Sequence, residues 1–239
     1  ELALQERIPL IMLLEGAGHR PPFPDDPPSF RTPGDLQAQA DASGRIPLVT
    51  AVLGPSAGHG ALSAPLADFT VMTEQASIFT AGPPLVKASL GEEITKEELG
   101  GPEVALRSGV VHNLASNDES ALEQIRTWLS YLPSSAWQTP TRLTDAEGER
   151  NVNELFDIIP ENPRQAYDMH DVINVVTDTG SVFTIQPMFG QSLITCFARL
   201  SGRPVAIVAN QPQHMAGSIT VEAADKATQF IQVADSFHI

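Results

Sequence analysis

One cysteine, few aromatics and a shortage of basic charge limit what this chain can be. With a single cysteine in 239 residues, no disulfide can form within the chain. Cys196, inside the apolar run Leu193-Ile-Thr-Cys-Phe197, reads as a small buried hydrophobe. Lysine and arginine total 14 against 29 aspartates and glutamates, a formal net charge of −15. That balance argues against a nucleic-acid partner. It does not forbid a small polyphosphate ligand, whose binding depends on local cations and helix ends. No apolar run reaches the ~18 residues of a membrane helix, so no membrane partner is read from the chain. The opening Glu1-Leu-Ala-Leu-Gln-Glu-Arg7 lacks the basic start and apolar run of a signal peptide. The expected setting is the cytoplasm, or the mitochondrial matrix in a eukaryote. The six histidines (His19, His59, His112, His170, His214 and His238) have no zinc-type spacing, so no metal is expected. Charged residues make up only 18% of the chain, below the roughly 25% of typical globular proteins. Much of the surface is therefore expected to be covered by another subunit.

What is present is an alternation of apolar strands and helical patterns, which predicts an α/β architecture. Ile8 to Leu14 reads as a strand ending in the glycine-rich turn Glu15-Gly-Ala-Gly-His-Arg20. The run Pro21-Pro-Phe-Pro-Asp-Asp-Pro-Pro28 cannot be regular structure. Residues 36–43 read as a helix, and Ile46 to Leu53 as the next strand. Phe69 to Thr73 and Ser77 to Thr80 are further strands. Asn117 is a good N-cap for a helix whose apolar stripe is Leu122, Ile125, Trp128, Leu129 and Leu132. After Pro133 the stretch to residue 166 is polar and proline-bearing, as a connector would be. A second α/β region follows, with a helix over Asp168–Val175 and strands at Val182–Pro187, Ser192–Leu200 and Pro204–Asn210. A last helix over 221–236 is expected to turn Ala223, Ala227, Phe230, Ile231 and Ala234 inward. The chain opens on a helix end followed by a strand, and closes on a helix end entering one. It is therefore read as truncated at both ends.

The stretch Leu53-Gly-Pro-Ser-Ala-Gly-His-Gly60 poses the chemical question. A buried strand runs into glycines and then a short helix of small residues, a construction that leaves backbone N–H groups facing an anionic atom. His59 sits between two of those glycines.

Several segments, in order along the chain, carry a resemblance. They are Gly54-Pro-Ser-Ala-Gly58, Asp68-Phe-Thr-Val-Met72, Ile78-Phe-Thr-Ala-Gly-Pro-Pro-Leu-Val-Lys87, Glu97-Glu-Leu-Gly-Gly101, Ser108-Gly-Val-Val-His112 and Gly202-Arg-Pro-Val-Ala-Ile-Val-Ala-Asn-Gln-Pro212. Together they resemble the carboxyltransferase (β) subunit of a biotin-dependent acyl-CoA carboxylase, nearest the propionyl-CoA and methylcrotonyl-CoA group. The resemblance implies an α/β fold of tandem crotonase-like (ClpP/crotonase) β-β-α spiral units. Residues 1–132 would be the later part of the first unit, on the acyl-CoA side. Residues 133–167 would be the connector, and 168–239 the opening of a second unit on the biotin side. It also implies a biotin carboxylase and biotin carrier partner, biotin borne on that carrier, a coenzyme A thioester as substrate and no metal in this chain. The assembly implied is a homo- or hetero-oligomer, a hexamer, in which the first unit of one subunit faces the second unit of a neighbour.

The implied reaction removes a proton next to a thioester carbonyl, and the enolate takes up the carboxyl group from carboxybiotin. Negative charge grows on the thioester oxygen, and two preplaced backbone N–H donors stabilise it. The proton acceptor in the family is biotin itself, so no carboxylate is needed here. The family's Gly-Gly donor pair falls on Gly58 and His59. Three readings of His59 stay open. Its amide still donates while the ring points to the pocket or a subunit interface, or the ring tunes acyl choice, or the subunit has lost activity. Ala57 and Gly60 border the pair and belong to the expected substrate-binding set. Gly16-Ala17-Gly18 matches a family turn with changed residues, and Arg20 keeps its arginine. It is either a structural turn or a lining of the thioester pocket in which Arg20 neutralises a CoA phosphate. Gly82, Pro83 and Lys87 either pack beneath the pocket or help hold the CoA. Gly100-Gly101 is expected to let a helix turn closely against the sheet. Two alternatives remain: a biotin-dependent decarboxylase subunit running the same chemistry in reverse, and a non-catalytic structural subunit. A plain hydratase or isomerase is disfavoured, because the glycine loop carries no carboxylate.

Overall fold

The structure, a computed structural model, describes residues 1–16, 18, 34–144, 151–162 and 164–239. The proline-rich run Pro21–Pro28, together with Ala17 and Arg20, lies outside the described residues. The chain divides into two units, Glu1–Gln124 and Ile125–Ile239.

In the first unit, helix α1 (Leu2–Glu6) leads into strand β1 (Leu10–Gly16), helix α2 (Asp35–Ala42) and strand β2 (Leu48–Ala57). A 3-10 helix over Gly58–Leu66 precedes β3 (Phe69–Thr73) and β4 (Ser77–Phe79). Helices α3 (Pro83–Leu90), α4 (Lys96–Gly100) and α5 (Pro102–Arg107), strand β5 (Asn113–Ala115) and the first half of helix α6 (Asp118–Tyr131) complete it. Every strand pairing is parallel: β1 with β2, β2 with β3, and β3 with β5, while β4 pairs with the last residues of β2. Strand β2 is the hub. It offers Val49–Val52 to β3 and Pro55–Ala57 to β4 along one edge, and its other edge to β1. Leu48, Val49, Ala51, Val52, Phe69, Val71 and Met72 are fully shielded from solvent. Strands buried on both faces need such near-continuous apolar runs, as parallel sheets do. His112 is a core histidine, its Nδ1 accepting the Thr70 N–H at 3.2 Å.

Just before β3, the partly buried Asp68 accepts the Leu48 N–H at 2.8 Å. Burial pushes its carboxyl from 3.8 up to about 7, against the opposing pull of that N–H. The folded chain thus holds the proton more tightly than the unfolded one, and stability falls as pH rises from about 4 through about 7. Asp68→Asn keeps an acceptor for Leu48. It is expected to flatten this slope, so that wild type loses about 1–3 kcal/mol more than the variant between pH 4 and pH 8. Urea titrations at the two pH values measure it; parallel losses would refute the assignment.

The second unit begins within α6, whereas the sequence places the end of the first unit at Leu132. Trp128 and Tyr131 of α6 pack on Phe197, at ring-centroid distances of 6.5 and 5.7 Å. Helices α7 (Leu155–Ile158) and α8 (Met169–Val176) precede an antiparallel sheet of β6 (Phe183–Ile185), β7 (Leu193–Leu200) and β8 (Arg203–Asn210), and α9 (Val221–Ser236) follows. Buried Arg199 donates to the Ser130 carbonyl at 2.7 Å, capping the α6 C-terminus, and lies 5.0 Å from the Tyr131 ring centroid. Cys196 is fully buried, and the lack of solvent raises its thiol to about 12, as an inert core residue requires.

Three expectations are corrected. Strand β2 continues through Gly54–Ala57 instead of turning at Leu53, because β4 supplies backbone partners there. Strand β6 stops at Ile185, since Gln186 takes a left-handed φ of 53° that a strand cannot contain. On α9, Ile231 is 53% exposed, and the buried line runs Ala223, Lys226, Phe230, Val233 and Ala234. A helical stripe three or four residues wide can be drawn to either side of Phe230 from sequence alone, and the aromatic core beneath selects the side with Val233. Phe230 lies 4.9 Å from Phe197 there.

Candidate functional site

The carboxyl ends of β1 and β2 meet at a cavity of about 350 Å³ lined by Leu13, Leu14, Glu15, Gly16, Gly18, Ser56, Ala57, His59 and Gly60. Ligands of open parallel sheets bind beyond the carboxyl ends of their strands. The chain shapes the site by removing side chains. Gly18 and Gly58 have φ values of 91° and 67°, which side-chain-bearing residues rarely adopt. They also face each other: a Cβ on Gly58 would lie 3.6 Å from the Gly18 Cα, and one on Gly18 would lie 3.3 Å from the Ala57 carbonyl oxygen.

The left-handed Gly58 turns β2 into the 3-10 helix. The first amides of a helix have no acceptor within it. Among the described residues, no backbone acceptor in the surrounding loops takes the His59 N–H. The parallel pairing of Pro55–Ala57 with Ser77–Phe79 turns the Gly58 N–H toward the Phe79 carbonyl, while the His59 N–H finds no acceptor in those loops. His59 presents its ring separately. Its Nε2 lies 2.7 Å from Asp35 Oδ2, at the first residue of α2, and both side chains are about half exposed. The hydrogen bond from His59, followed by that from the Leu36 N–H, holds the Asp35 carboxyl below its usual range.

Of the residues singled out in the sequence, the structure gathers Gly16, Gly18, Ala57, His59 and Gly60 around one cavity, with Gly58 as its turn. It does not bring Gly82, Pro83 or Lys87 to that lining. Gly82 caps α3, a helix with no buried residue, and Lys87 pairs with Glu93 in solvent. Gly82 is nonetheless tied to the site through Phe79, which a Cβ would approach to 3.4 Å and which pairs in register with Ala57. Ala17 and Arg20 fall outside the described residues. Sequence reasoning missed Asp35, the partner of His59 from 24 positions away, and Glu15, whose side chain would lie 2.9 Å from a Cβ on Gly54. No spacing signal links either residue to the loop. Among the described residues no group of three His, Cys, Asp or Glu side chains converges as a metal site would require.

The carboxyl transferase domain family matches residues 1–239. The propionyl-CoA carboxylase carboxyltransferase subunit of Haloferax mediterranei is 40% identical over 241 residues, covering 99% of this chain and 46% of its own length. The methylmalonyl-CoA decarboxylase α subunit of Veillonella parvula is 40% identical over 202 residues, 83% of this chain and 40% of that one. A solved structure of transcarboxylase 12S, described as a hexamer assembly with methylmalonyl-coenzyme A and methylmalonic acid bound, superposes with a TM-score of 0.89. It is 32% identical and covers all of this chain and 47% of its own. The chain spans about half the length of the relatives it matches, and its fold is the crotonase-like α/β fold of those structures. It belongs to the carboxyl transferase domain family.

Proposed function

We propose that this chain carries the acyl-CoA half of a carboxyltransferase. The thioester carbonyl oxygen would sit at the turn after β2 and accept hydrogen bonds from the His59 backbone N–H and from the Gly58 N–H, shared with the Phe79 carbonyl. Those donors gain most as the α-proton (or, in an unsaturated acyl group, the vinylogous one) leaves and charge moves onto that oxygen. The observation that supports this most is the left-handed glycine that ends a parallel strand and opens the 3-10 helix whose first amides lie beside the cavity. Biotin, held on a partner carrier domain, would supply the carboxyl group. The relatives' names support that assignment and a partner biotin carboxylase, and the 12S structure supports a hexamer.

The site suits the reacting end of a CoA thioester. Its glycines leave the backbone open, and its apolar Leu13 and Leu14 offer a wall for an acyl chain. The His59 ring, held by Asp35, forms another wall and takes no part in proton transfer, so backbone and ring divide the labour. The decarboxylase direction shares every step, and the Veillonella relative keeps it as the second reading.

A carboxylation assay of the full-length protein tests this, run with its biotin carboxylase and carrier on acetyl-, propionyl-, branched and long acyl-CoAs. Wild type is expected to turn over. In His59→Gly and Asp35→Asn, the ratio of kcat/KM between short and long chains is expected to shift by about fivefold or more, the scale of one altered apolar contact. No turnover on any thioester, with partner binding intact, would replace this reading by that of an assembly subunit.

A further inference from the structure

A second cavity, of about 50 Å³, lies in the second unit, and its floor is a buried cation. Lys226 of α9 is 2% exposed, and its ammonium donates to one acceptor, the Gln186 carbonyl at 3.3 Å. An ammonium carries three donors, and no carboxylate among the described residues pairs with this one. Burying a charge without a partner is costly, yet two features hold this one in place. Gln186, itself 3% exposed, adopts a left-handed φ of 53° where its carbonyl meets the amine. Gly190 packs so closely on α9 that a Cβ would lie 2.8 Å from the backbone of Ala223.

Asp168, the carboxylate bonded to the cavity-lining His170 and Gln211, has its Oδ1 already taken. Asp168 Oδ1 takes the Gln211 Nε2 at 2.7 Å, the His170 N–H at 2.9 Å and the His170 Nδ1 at 2.9 Å. Burial raises the Asp168 carboxyl, but the bonds from Gln211 and His170 outweigh it and keep the group low. Desolvation brings Lys226 down to about 8, leaving it mostly charged at neutral pH. The floor is closed by Leu193, Ile194 and Gln211, while exposed Gln191 and His214 stand at the rim, so the cavity has an entrance.

The geometry points to a binding site for a small carboxylate in the second unit, with Lys226 as its cationic anchor. Size narrows the ligand class. At roughly 10–15 Å³ per water-sized position, 50 Å³ holds a small group of about three to five such positions. That fits a carboxylate, either free or at the end of a larger organic molecule.

The chain has three lysines, Lys87, Lys96 and Lys226, and the first two are exposed. In ¹⁵N-lysine-labelled full-length protein, the ammonium resonance that Lys226→Met removes is assigned to Lys226. Sodium formate is expected to move that resonance saturably and to raise the unfolding midpoint by about 2–4 °C. Sodium chloride at equal ionic strength is expected to do neither. Lys226→Met is expected to abolish the rise. A response to formate assigns a free carboxylate, and a response confined to propionate assigns the carboxyl end of a longer ligand; either supports the site. No saturable shift with formate or propionate overturns it, as does a midpoint rise that survives undiminished in Lys226→Met.

Discussion

The substitution His59→Pro is expected to lower carboxylation by about 10²- to 10³-fold, the usual cost of losing one oxyanion donor. His59→Gly is expected to leave turnover on the best substrate within about tenfold of wild type. The contrast isolates the amide from the ring, since both substitutions delete the imidazole and only proline deletes the N–H. Position 59 is the second residue of the 3-10 helix Gly58–Leu66. Proline is tolerated in the first turn of a helix, where its missing N–H has no acceptor to lose. The preceding residue is a glycine, already at a φ of 67° and free to adjust to the ring that follows. Unchanged unfolding midpoints for the two variants would show that the loss is chemical. Equal rates for His59→Pro and His59→Gly would remove the His59 amide from the mechanism, whatever the ring does.

Gly100→Ala is expected to destabilise the first unit by about 3–5 kcal/mol, above the usual range for overpacking because the obstacle is backbone. A Cβ on Gly100 would lie 1.9 Å from the Ile78 carbonyl oxygen and 2.8 Å from its carbon. Neither atom can rotate away as a side chain would. Either α4 slides off β4 or β4 moves, and β4 pairs Ser77–Phe79 with Pro55–Ala57 at the edge of the site. Activity is therefore expected to fall with stability. Gly91→Ala is the control: Gly91 also has a left-handed φ, 76°, but nothing lies within 4 Å of its Cβ position. It is expected to cost only about 1 kcal/mol, the conformational strain alone. Urea unfolding of both variants measures the difference, and equal midpoints would mean that α4 and β4 separate readily. The expectation that Gly100-Gly101 lets a helix approach the sheet thus acquires a specific contact.

The role of His59 is where sequence and structure divide most clearly. A histidine at one position of an expected glycine pair is visible in the sequence, and so is the glycine-rich strand end that makes the position matter. The direction of the ring is not visible, because its partner Asp35 comes from another helix 24 residues upstream. Lys226 repeats the pattern. A lysine among alanines on an amphipathic helix reads as a solvent-facing charge, and the sequence pattern runs the inward line through Ala227 and Ile231 instead. The structure rotates that line by about one residue: Phe230 packs on Phe197, and Val233 is buried on the same helix.

By itself the sequence determined the features set by near neighbours along the chain. The buried strands follow from apolar runs, the start of α6 from Asn117, whose side chain accepts the Ser120 N–H at 2.9 Å, and the start of α8 from Asp168. The tertiary structure decided what depends on residues far apart meeting in space. That includes β4 extending β2 through Ala57, Gly18 facing Gly58, Asp35 holding His59, and an ammonium sealed beneath α9 with one acceptor. Local preferences cost or gain of order 1 kcal/mol per residue whatever the fold. Strand pairing, close backbone approach and the burial of charge acquire their energy only once distant segments have met.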